Sequence, residues 1–546
     1  MSTVTVEHPS IGAVKGLDGD GVYQFFGVQY ATLQDRLAEA QVKSSYESPV
    51  DATSHGPSSF SPPNGYDNEM LFIQQSMPKP STVHSDLDCL NLNITVPKGQ
   101  HGVDLAKQKL PVFVWIHGGG FVVGANSWPH YDHARIVKLA HDNGVPVIGV
   151  GINYRLGFPG MLTSEELRQK GYKPNSGLRD QQAALRWVKQ HIAGFGGDPD
   201  KVTVIGESAG AVATTLHLYS KEPLFHRAIA TGGSCLLVPV FTPADQERTY
   251  QQVLSILDLE NLDVDQRIQK LLTLPMDEII AKLPPSVAFL PTVDGEVVPV
   301  QPTFAGVADQ SDRSMPGKQW VDALMIGNSE FDASVLGFML GHLKPGIGKK
   351  FPASIRSSLA TTPDFADTLL EAYGFGDSGL DDETAFIKFL DFVNDVSFLG
   401  ATTSFARGWP APPSSSSSNS KIFTFFFNEP NPWAGAYQGR ATHVLDVVFL
   451  FQNHNHNLPP AQRAAAEAFG LDLMRFVAGQ QPWPGYTREK RTAKVFGPSK
   501  GEKVTARVVE DAEALETGRG KSILQLAEKV GFDRLNETVG RFRMGL

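Results

Sequence analysis

The sequence predicts an α/β protein in which a mostly parallel central sheet is flanked by helices. Three observations support this fold class: short apolar runs rich in Val, Ile and Phe, helical patterns that alternate with those runs, and 52 Gly and 37 Pro residues that provide turns between elements. Apolar runs bounded by Gly, Pro or His are typical of strands that are buried on both faces. The strand candidates are 111–116, 145–152, 202–205, 228–231, 323–327 and 422–427.

Two helices are predicted with defined boundaries. Ser176 is the expected N-cap of the first helix, residues 178–192 place apolar side chains on one face, and Gly194 ends it. The second candidate, 522–530, begins with a Ser that is followed three residues later by Gln, which is the pattern of a capping box. Its apolar residues share one face, so we expect it to dock on the core as a C-terminal helix.

The chain length leaves two domain organisations open. At 546 residues, the chain fits either about three to four average domains or one large α/β domain with insertions. Residues 409–420 are rich in Pro and Ser and cannot bury enough apolar surface to order themselves, so an exposed loop is expected there. The strand candidate 422–427 follows closely, which favours a surface loop within one domain over a linker between two domains. We therefore expect residues 1–546 to form a single domain with large loop and helical insertions.

Composition and charge exclude several function classes. The chain has 48 Lys and Arg against 58 Asp and Glu, a net charge of −10, so no basic surface is expected for nucleic acid. The first residues lack the basic and apolar segments of a signal peptide, and no run of roughly 18 apolar residues predicts a membrane span. Two cysteines, Cys89 and Cys235, are too few for a disulfide-stapled fold and favour a reducing compartment. We expect a cytoplasmic protein.

The sharpest local signal is a serine between two predicted elements. Residues 206–210 read Gly-Glu-Ser-Ala-Gly and lie between the strand candidate 202–205 and a helical pattern. Strand, tight turn and helix are the context in which the serine of G-x-S-x-G acts as a nucleophile. The turn projects the hydroxyl above the sheet edge, and small flanking residues let strand and helix approach closely. The motif alone also arises by chance, so its flanking elements make Ser208 the nucleophile candidate.

A second glycine-rich segment lies at the end of another strand candidate. Residues 117–120 read His-Gly-Gly-Gly and directly follow 111–116. Acyl transfer requires hydrogen-bond donors aimed at the oxygen that becomes negative in the tetrahedral intermediate, and the bare backbone amides of a glycine loop provide them. An ordinary Gly-rich turn would have the same composition. Its coincidence with the serine motif favours an oxyanion-binding loop.

A nucleophilic serine needs a histidine base and an orienting carboxylate, which follow in the order serine, acid, histidine in such a fold. Asp332 comes just after the strand candidate 323–327, so we expect it at the same sheet edge as Ser208. Glu330 competes for that role, because two residues apart in an extended loop the side chains would point the same way. The base candidates that position leaves open are His342, His443 and His454.

Longer motifs extend this pattern. Residues 195–210 combine Phe-Gly-Gly-Asp-Pro, a strand candidate and the serine turn, and residues 88–93 read Asp-Cys-Leu-Asn-Leu-Asn. With these motifs the chain resembles the type-B carboxylesterases, a family that includes the cholinesterases and some fungal lipases and that adopts the α/β-hydrolase fold. Further similar blocks are 26–31, 153–155 and 293–295, and the resemblance runs from about residue 10 to about residue 490.

The resemblance implies a role for each aligned residue. It assigns the nucleophile to Ser208 and the base to His443, which precedes Asp446 and an apolar run. It assigns the acid to Asp332, because 327–334 line up with the family's acid loop. The family often has glutamate at that position, and the shorter aspartate leaves Glu330 as an alternative. The backbone amides implied as oxyanion donors belong to Gly119, Gly120 and Ala209.

Neither a metal nor a cofactor is expected. His454 and His456 lack acidic or thiol partners nearby and are expected in a solvated loop.

Two departures from the family's pattern bear on the expected compartment and substrate. Cys89 commonly pairs with an earlier cysteine in the family, yet residues 1–88 contain none. Cholinesterases hold a quaternary ammonium with a tryptophan shortly before that cysteine, whereas 67–88 contain none, so choline esters are not expected.

The sequence therefore predicts a serine hydrolase that cleaves a carboxylic ester through an acyl-enzyme. A medium-sized hydrophobic ester or lactone is the expected substrate, since fungal family members occur in detoxification and natural-product metabolism. The same residues would serve an acyltransferase or an amide or lactam hydrolase, and the motifs do not separate these activities. A non-catalytic scaffold relative is the rival from another class, but such relatives usually lose the serine or histidine, and both are present here.

Overall fold

The computed structural model describes residues 2–99, 102–376, 379–410, 421–501, 503–510 and 519–545. Its strands, labelled in chain order, are β1 (Ser2–His8), β2 (Gly12–Asp18), β3 (Val22–Gln29), β4 (Ala31–Thr32), β5 (Gln41–Val42), β6 (Val50–Asp51), β7 (Asn91–Pro97), β8 (Leu110–Ile116), β9 (Ile148–Ile152), β10 (Gly197–Glu207), β11 (Arg227–Thr231), β12 (Ala323–Ser329), β13 (Lys421–Phe427), β14 (Thr492–Phe496) and β15 (Ala506–Glu510). The α-helices are Gly65–Ile73, Ala134–Asp142, Gly157–Met161, Glu165–Gln169, Ser176–His191, Ala209–Leu216, Pro243–Ile256, Val264–Thr273, Met276–Lys282, Phe304–Ala308, Gly317–Trp320, Ser334–Met339, Ile347–Ser358, Pro363–Ala372, Asp382–Asn394, Gly400–Gly408, Leu445–Phe451, Pro460–Val477, Arg519–Val530 and Phe532–Arg543.

One large sheet organises the molecule. Among the described residues it has 13 strands, in the order β1-β2-β3-β7-β9-β8-β10-β11-β12-β13-β14-β15, with β6 beside β2. Every neighbouring pair from β9 through β14 in this order is parallel, and antiparallel strands complete both edges. All six strand candidates are present, as β8 to β13. The predicted fold class is confirmed.

Strand β8 shows why these apolar runs form a central sheet. Its side chains alternate between the two faces, so that Val112, Val114 and Ile116 join one hydrophobic cluster while Phe113 and Trp115 join another. All five side chains are fully buried. Because helices cover both faces, the strand needs apolar residues at every position, which is the unbroken run seen in the sequence.

The first predicted helix begins one residue earlier than expected, and the expectation that Gly194 ends it is wrong, since a 3-10 helix (Ile192–Phe195) continues through Gly194 to Gly196. The helix is Ser176–His191, and Asn175 is its N-cap, so the assignment of the cap to Ser176 is wrong. Asn175 has a left-handed backbone with φ 60°, and its side chain exchanges two hydrogen bonds of 2.8 Å with the backbone of Thr292. This tertiary contact, which local sequence does not reveal, decides where the helix begins.

The predicted C-terminal docking helix is present but starts earlier. It spans Arg519–Val530, so Ser522 lies inside the helix and the proposed capping box is wrong. Ile523, Leu526 and Ala527 are buried as the apolar stripe predicted. The predicted low-complexity loop at 409–420 falls almost entirely outside the described residues, since 411–420 are not among them. Within the described parts of the chain, no helix combines the length and apolar character that a bilayer crossing requires.

Both cysteines are free and buried, which yields a direct test of the thiol state. Burial raises the pKa of Cys89 and of Cys235 to about 12, so neither thiol ionises readily. We expect two thiols per chain on alkylation after denaturation, and an equal Tm with and without reductant, because no disulfide constrains the unfolded chain. A count of zero thiols would instead show that Cys89 and Cys235 are bridged.

Candidate active site

The candidate residues meet at the edge of the sheet where the parallel strands end. Ser208 follows β10, the glycine loop that starts at His117 follows β8, and Asp332 follows β12. Strand β10 lies between β8 and β11, and β12 is the next strand after β11. The strand order therefore brings three segments that are distant in the chain to one edge, which is where open α/β sheets bind ligands.

Ser208 occupies a strained turn between β10 and the helix Ala209–Leu216. Its backbone has φ 55° and ψ −123°, a conformation rarely adopted by residues with a side chain. Its N–H donates to the carbonyl oxygen of Thr231 at 3.1 Å, which anchors the turn to β11. A Cβ atom at Gly210 would lie 2.0 Å from the carbonyl oxygen of Ile116, so only glycine lets the helix approach β8 this closely.

The glycine loop after β8 presents backbone amides beside Ser208. A Cβ atom at Gly118 would lie 3.0 Å from the Cβ atom of Ser208, so the loop is directly against the serine. Gly119 and Gly120 have φ values of 98° and 63°, and neither amide donates a backbone hydrogen bond among the described residues. Ala209 is the first residue of its helix, so its N–H has no acceptor within the helix.

His443 and Asp332 form a buried hydrogen-bonded pair. His443 Nδ1 lies 2.9 Å from Asp332 Oδ1, and the two side chains are 1% and 0% exposed. The second carboxylate oxygen of Asp332 accepts a hydrogen bond of 2.6 Å from the backbone N–H of Ser329. The backbone N–H of His443 donates to Ser334 Oγ at 3.0 Å. Both members of the pair are thus fixed by further contacts, which orients the imidazole.

Glu330, the alternative acid, faces away from the imidazole. Arg440 binds its carboxylate with two nitrogens, Nε at 2.9 Å from Oε2 and Nη2 at 2.6 Å from Oε1. The expectation that Glu330 and Asp332 point the same way is wrong, because the loop is not extended. The backbone N–H of Ser334 donates to the carbonyl oxygen of Phe331 at 3.1 Å, and this turn separates the two carboxylates.

The second imidazole nitrogen of His443 faces Glu207. His443 Nε2 lies 3.1 Å from Glu207 Oε1, and it makes no hydrogen bond to Ser208 Oγ in the described part of the chain. Because Glu207 directly precedes Ser208, this contact still places the histidine beside the nucleophile candidate. Burial, followed by the carboxyl groups of Asp446, Glu69 and Asp332, raises the pKa of Glu207 well above its ordinary value.

Two of these buried carboxyl groups were not singled out from the sequence. Asp446 accepts a hydrogen bond from the hydroxyl of Thr231, and burial is the main cause that raises its pKa to about 6. Glu69 is 4% exposed and accepts a hydrogen bond of 2.5 Å from the hydroxyl of Tyr131. A carboxylate inside the apolar run 445–451 is a signal that would have found Asp446. Glu69 carries no comparable signal.

The structure does not place His454 in a solvated loop, so that expectation is wrong. Its side chain is fully buried, and its ring centroid lies 5.6 Å from that of Trp433. Burial lowers the pKa of His454 to about 4. His456, by contrast, is exposed. Within the described residues, no group of three or more His, Cys, Asp and Glu side chains is arranged to hold a metal ion.

Known proteins are similar to this chain in sequence and in fold. The Carboxylesterase family matches residues 2–482. The chain belongs to the carboxylesterase family. The predicted resemblance is thereby confirmed. Two solved structures are similar to this family member: Geobacillus stearothermophilus carboxylesterase EST55, with a TM-score of 0.71 and 24% identity over 93% of this chain and 98% of that one, and PNB esterase, with a TM-score of 0.68 and 24% identity over 94% and 99%. At these identities the likeness concerns the fold.

Curated relatives match this carboxylesterase-family chain over part of their length. Bacillus subtilis para-nitrobenzyl esterase is 36% identical over 251 residues, which cover 45% of this chain and 47% of the relative. Rattus norvegicus pyrethroid hydrolase Ces2e is 31% identical over 395 residues, 69% of this chain and 64% of the relative. Byssochlamys spectabilis inactive carboxylesterase-like protein VdtD is 30% identical over 320 residues, 53% and 51%. The matched segments thus span from about half to just under two thirds of these relatives.

Proposed function

We propose that this carboxylesterase-family protein is a serine hydrolase that cleaves carboxylic esters through an acyl-enzyme. The observation that carries the proposal is the buried pair of His443 and Asp332, 2.9 Å apart, at the sheet edge where Ser208 occupies a strained turn. Family membership over residues 2–482 supports the same chemistry.

In the proposed mechanism, Ser208 Oγ attacks the ester carbonyl carbon while His443 Nε2 accepts the hydroxyl proton. The tetrahedral intermediate collapses, the bond to the alkoxy oxygen breaks, and His443 returns the proton to the leaving alcohol. Water then attacks the acyl-enzyme with His443 again as the base, which releases the carboxylic acid and restores the serine. Asp332 keeps the proton on Nδ1 and stabilises the imidazolium.

The proposed oxyanion donors are the backbone amides of Gly119, Gly120 and Ala209. Two lie on the glycine loop against the serine and the third at a helix N-terminus, so all three are free to face the carbonyl oxygen. Fixed backbone amides stabilise the negative charge without rearranging, because the fold has already oriented them. The N-terminal end of the helix dipole adds to this stabilisation.

Glu207 lies beside the imidazole nitrogen that acts as the proposed base. His443 Nε2 lies 3.1 Å from Glu207 Oε1, and in the proposed mechanism the ring turns toward Ser208 Oγ to take the hydroxyl proton. A raised pKa favours the neutral form of Glu207. Asp332 then remains the carboxylate that faces the imidazolium during turnover.

We propose a medium-sized hydrophobic ester or lactone as the substrate. The names of the relatives, an esterase for para-nitrobenzyl compounds and a hydrolase for pyrethroids, support esters with a large apolar group. No quaternary-ammonium ester is proposed, since residues 67–88 contain no tryptophan. The buried free cysteines support a reducing compartment, and we propose the cytoplasm as the place of action.

A series of p-nitrophenyl esters of increasing acyl length tests the proposed function. We expect p-nitrophenol release with saturation kinetics and a maximum of kcat/KM at intermediate length, alongside slower cleavage of a matched anilide, whose amine is a poorer leaving group. Adding 1-butanol separates hydrolysis from acyl transfer, because a transferase would form the butyl ester in preference to the acid. Absence of turnover on all esters, or faster turnover of the anilide, would contradict the proposal.

A further inference from the structure

The candidate acid and base lie on two loops that are far apart in the chain. Asp332 and His443 are 111 residues apart, and the contact between them depends on how the loops are joined. Among the described residues, two short hydrogen bonds of backbone N–H groups connect the loops, and a longer one of 3.4 Å runs from the N–H of Ala441 to Glu330 Oε2. The N–H of Phe331 donates to the carbonyl oxygen of Ala441 at 2.9 Å, and the N–H of His443 donates to Ser334 Oγ at 3.0 Å.

Arg440 makes a further connection, through its side chain. Its guanidinium binds Glu330 in a bidentate manner, at 2.9 Å from Nε to Oε2 and 2.6 Å from Nη2 to Oε1. The same guanidinium stacks on the ring of Phe331, 3.9 Å from its centroid. Glu330 precedes Asp332 by two residues and Arg440 precedes His443 by three. A displacement of this ion pair therefore displaces the acid and the base relative to each other.

Neighbouring groups hold Arg440 in this position. Asp391 accepts a hydrogen bond of 2.8 Å from Arg440 Nη2, and Arg519 binds the same carboxylate at 2.6 Å. The side chains of Arg440 and Glu330 remain 28% and 35% exposed. The two parallel hydrogen bonds to Glu330, the stacking on Phe331 and the two flanking charges together allow the guanidinium only one orientation, which is the geometry that positioning requires.

We propose that Arg440 is a positioning residue, which clamps Glu330 and thereby keeps Asp332 and His443 at the spacing that ester cleavage requires. This inference rests on the proposed function. Arg440 touches neither the substrate nor the reacting atoms, and it acts through the loops that carry them. Its role requires a planar group with two parallel donors, and a positive charge alone does not fulfil it.

Arg440→Lys tests this positioning role. Lysine keeps the positive charge but lacks the two parallel N–H donors that bind Glu330 and the planar group that stacks on Phe331. The two contacts of the backbone remain, so the loops loosen without separating. We expect kcat on a p-nitrophenyl ester to fall about 10-fold to 100-fold, as for a small misplacement of catalytic groups. We expect KM to change less than about twofold, since ground-state binding is not affected.

A double-mutant cycle with Asp332→Asn separates positioning from a merely structural role. If Arg440 acts by orienting Asp332, its replacement has no further effect once the carboxylate is gone, so Arg440→Lys in the Asp332→Asn background should change kcat by less than about twofold. A structural role would lower kcat by the same factor in both backgrounds. If Arg440→Lys does not fold, Glu330→Gln takes its place in the same cycle.

Arg186→Lys is the matched control. Arg186 also binds a glutamate, Glu222, with two nitrogens, at 3.1 and 2.7 Å, but on the exposed face of a helix away from the site. We expect wild-type kcat for this variant. Unchanged kcat in Arg440→Lys, or additive losses in the cycle, would overturn the clamp while leaving the proposed function in place. No loss in Asp332→Asn itself would contradict the proposed acid and the clamp together.

Discussion

Replacing Ser208 by alanine is expected to lower the turnover of an activated ester by about 10⁶ and to abolish labelling by a fluorophosphonate. The reason is that alanine removes the atom that forms the acyl-enzyme, while the backbone amides of the glycine loop remain and account for the residual rate. Ser208 occupies a strained backbone conformation that alanine can also adopt only at a cost, so folding is checked by thermal unfolding. Labelling and steady-state kinetics are measured on the same preparation.

Ser220→Ala is a suitable control for this experiment. Ser220 Oγ donates to the carbonyl oxygen of Glu222 at 3.0 Å, in an exposed turn outside the site, so its replacement should leave labelling and turnover unchanged. Persistent labelling of folded Ser208→Ala would mean that another nucleophile reacts. In that case the proposed role of Ser208 is wrong.

Asp332→Asn is expected to lower kcat by about 10³ to 10⁴ without unfolding the protein. Asparagine is nearly isosteric, so the loop contacts are kept. Its amide can donate to Nδ1 of His443, which favours the tautomer with the proton on Nε2 and blocks that nitrogen as a base. It also removes the negative charge that stabilises the imidazolium. The variant is assayed with a p-nitrophenyl ester beside the wild type.

Glu330→Gln is the comparison that assigns the acid. The carboxylate of Glu330 is bound by Arg440 and faces away from the imidazole, so its loss should weaken positioning only, with a decrease in kcat of about tenfold. A larger loss for Glu330→Gln than for Asp332→Asn would transfer the role of acid to Glu330. Small and equal losses would place the acid elsewhere.

Much of the fold could be predicted because its signals are local. The runs that became β8 to β13 are apolar at nearly every position, since helices bury both faces of the central strands. The turn of Ser208 was also visible, because its flanking glycines are required where strand and helix approach to within contact distance. Helix boundaries were less accurate, since a tertiary contact of Asn175 sets one of them.

The site could be predicted only in part. Position alone left three histidines open as the base, and the assignment of His443 came from the family resemblance. The choice between Asp332 and Glu330 depends on a turn that sends two carboxylates in opposite directions, and no spacing rule reveals that turn. Glu69, whose charge acts on both Glu207 and His443, carries no sequence signal at all.

The sequence by itself determined the fold class, the nucleophile candidate and the glycine loop, because each depends on residues that are neighbours in the chain. Only the tertiary structure decided which carboxylate meets His443, that His454 is buried, and that Arg440 joins the two loops. The first and the last of these outcomes depend on contacts between segments more than 100 residues apart, Asp332 with His443 and Glu330 with Arg440. Contacts of this kind are set by the order of strands in the sheet, which brings distant loops to one edge.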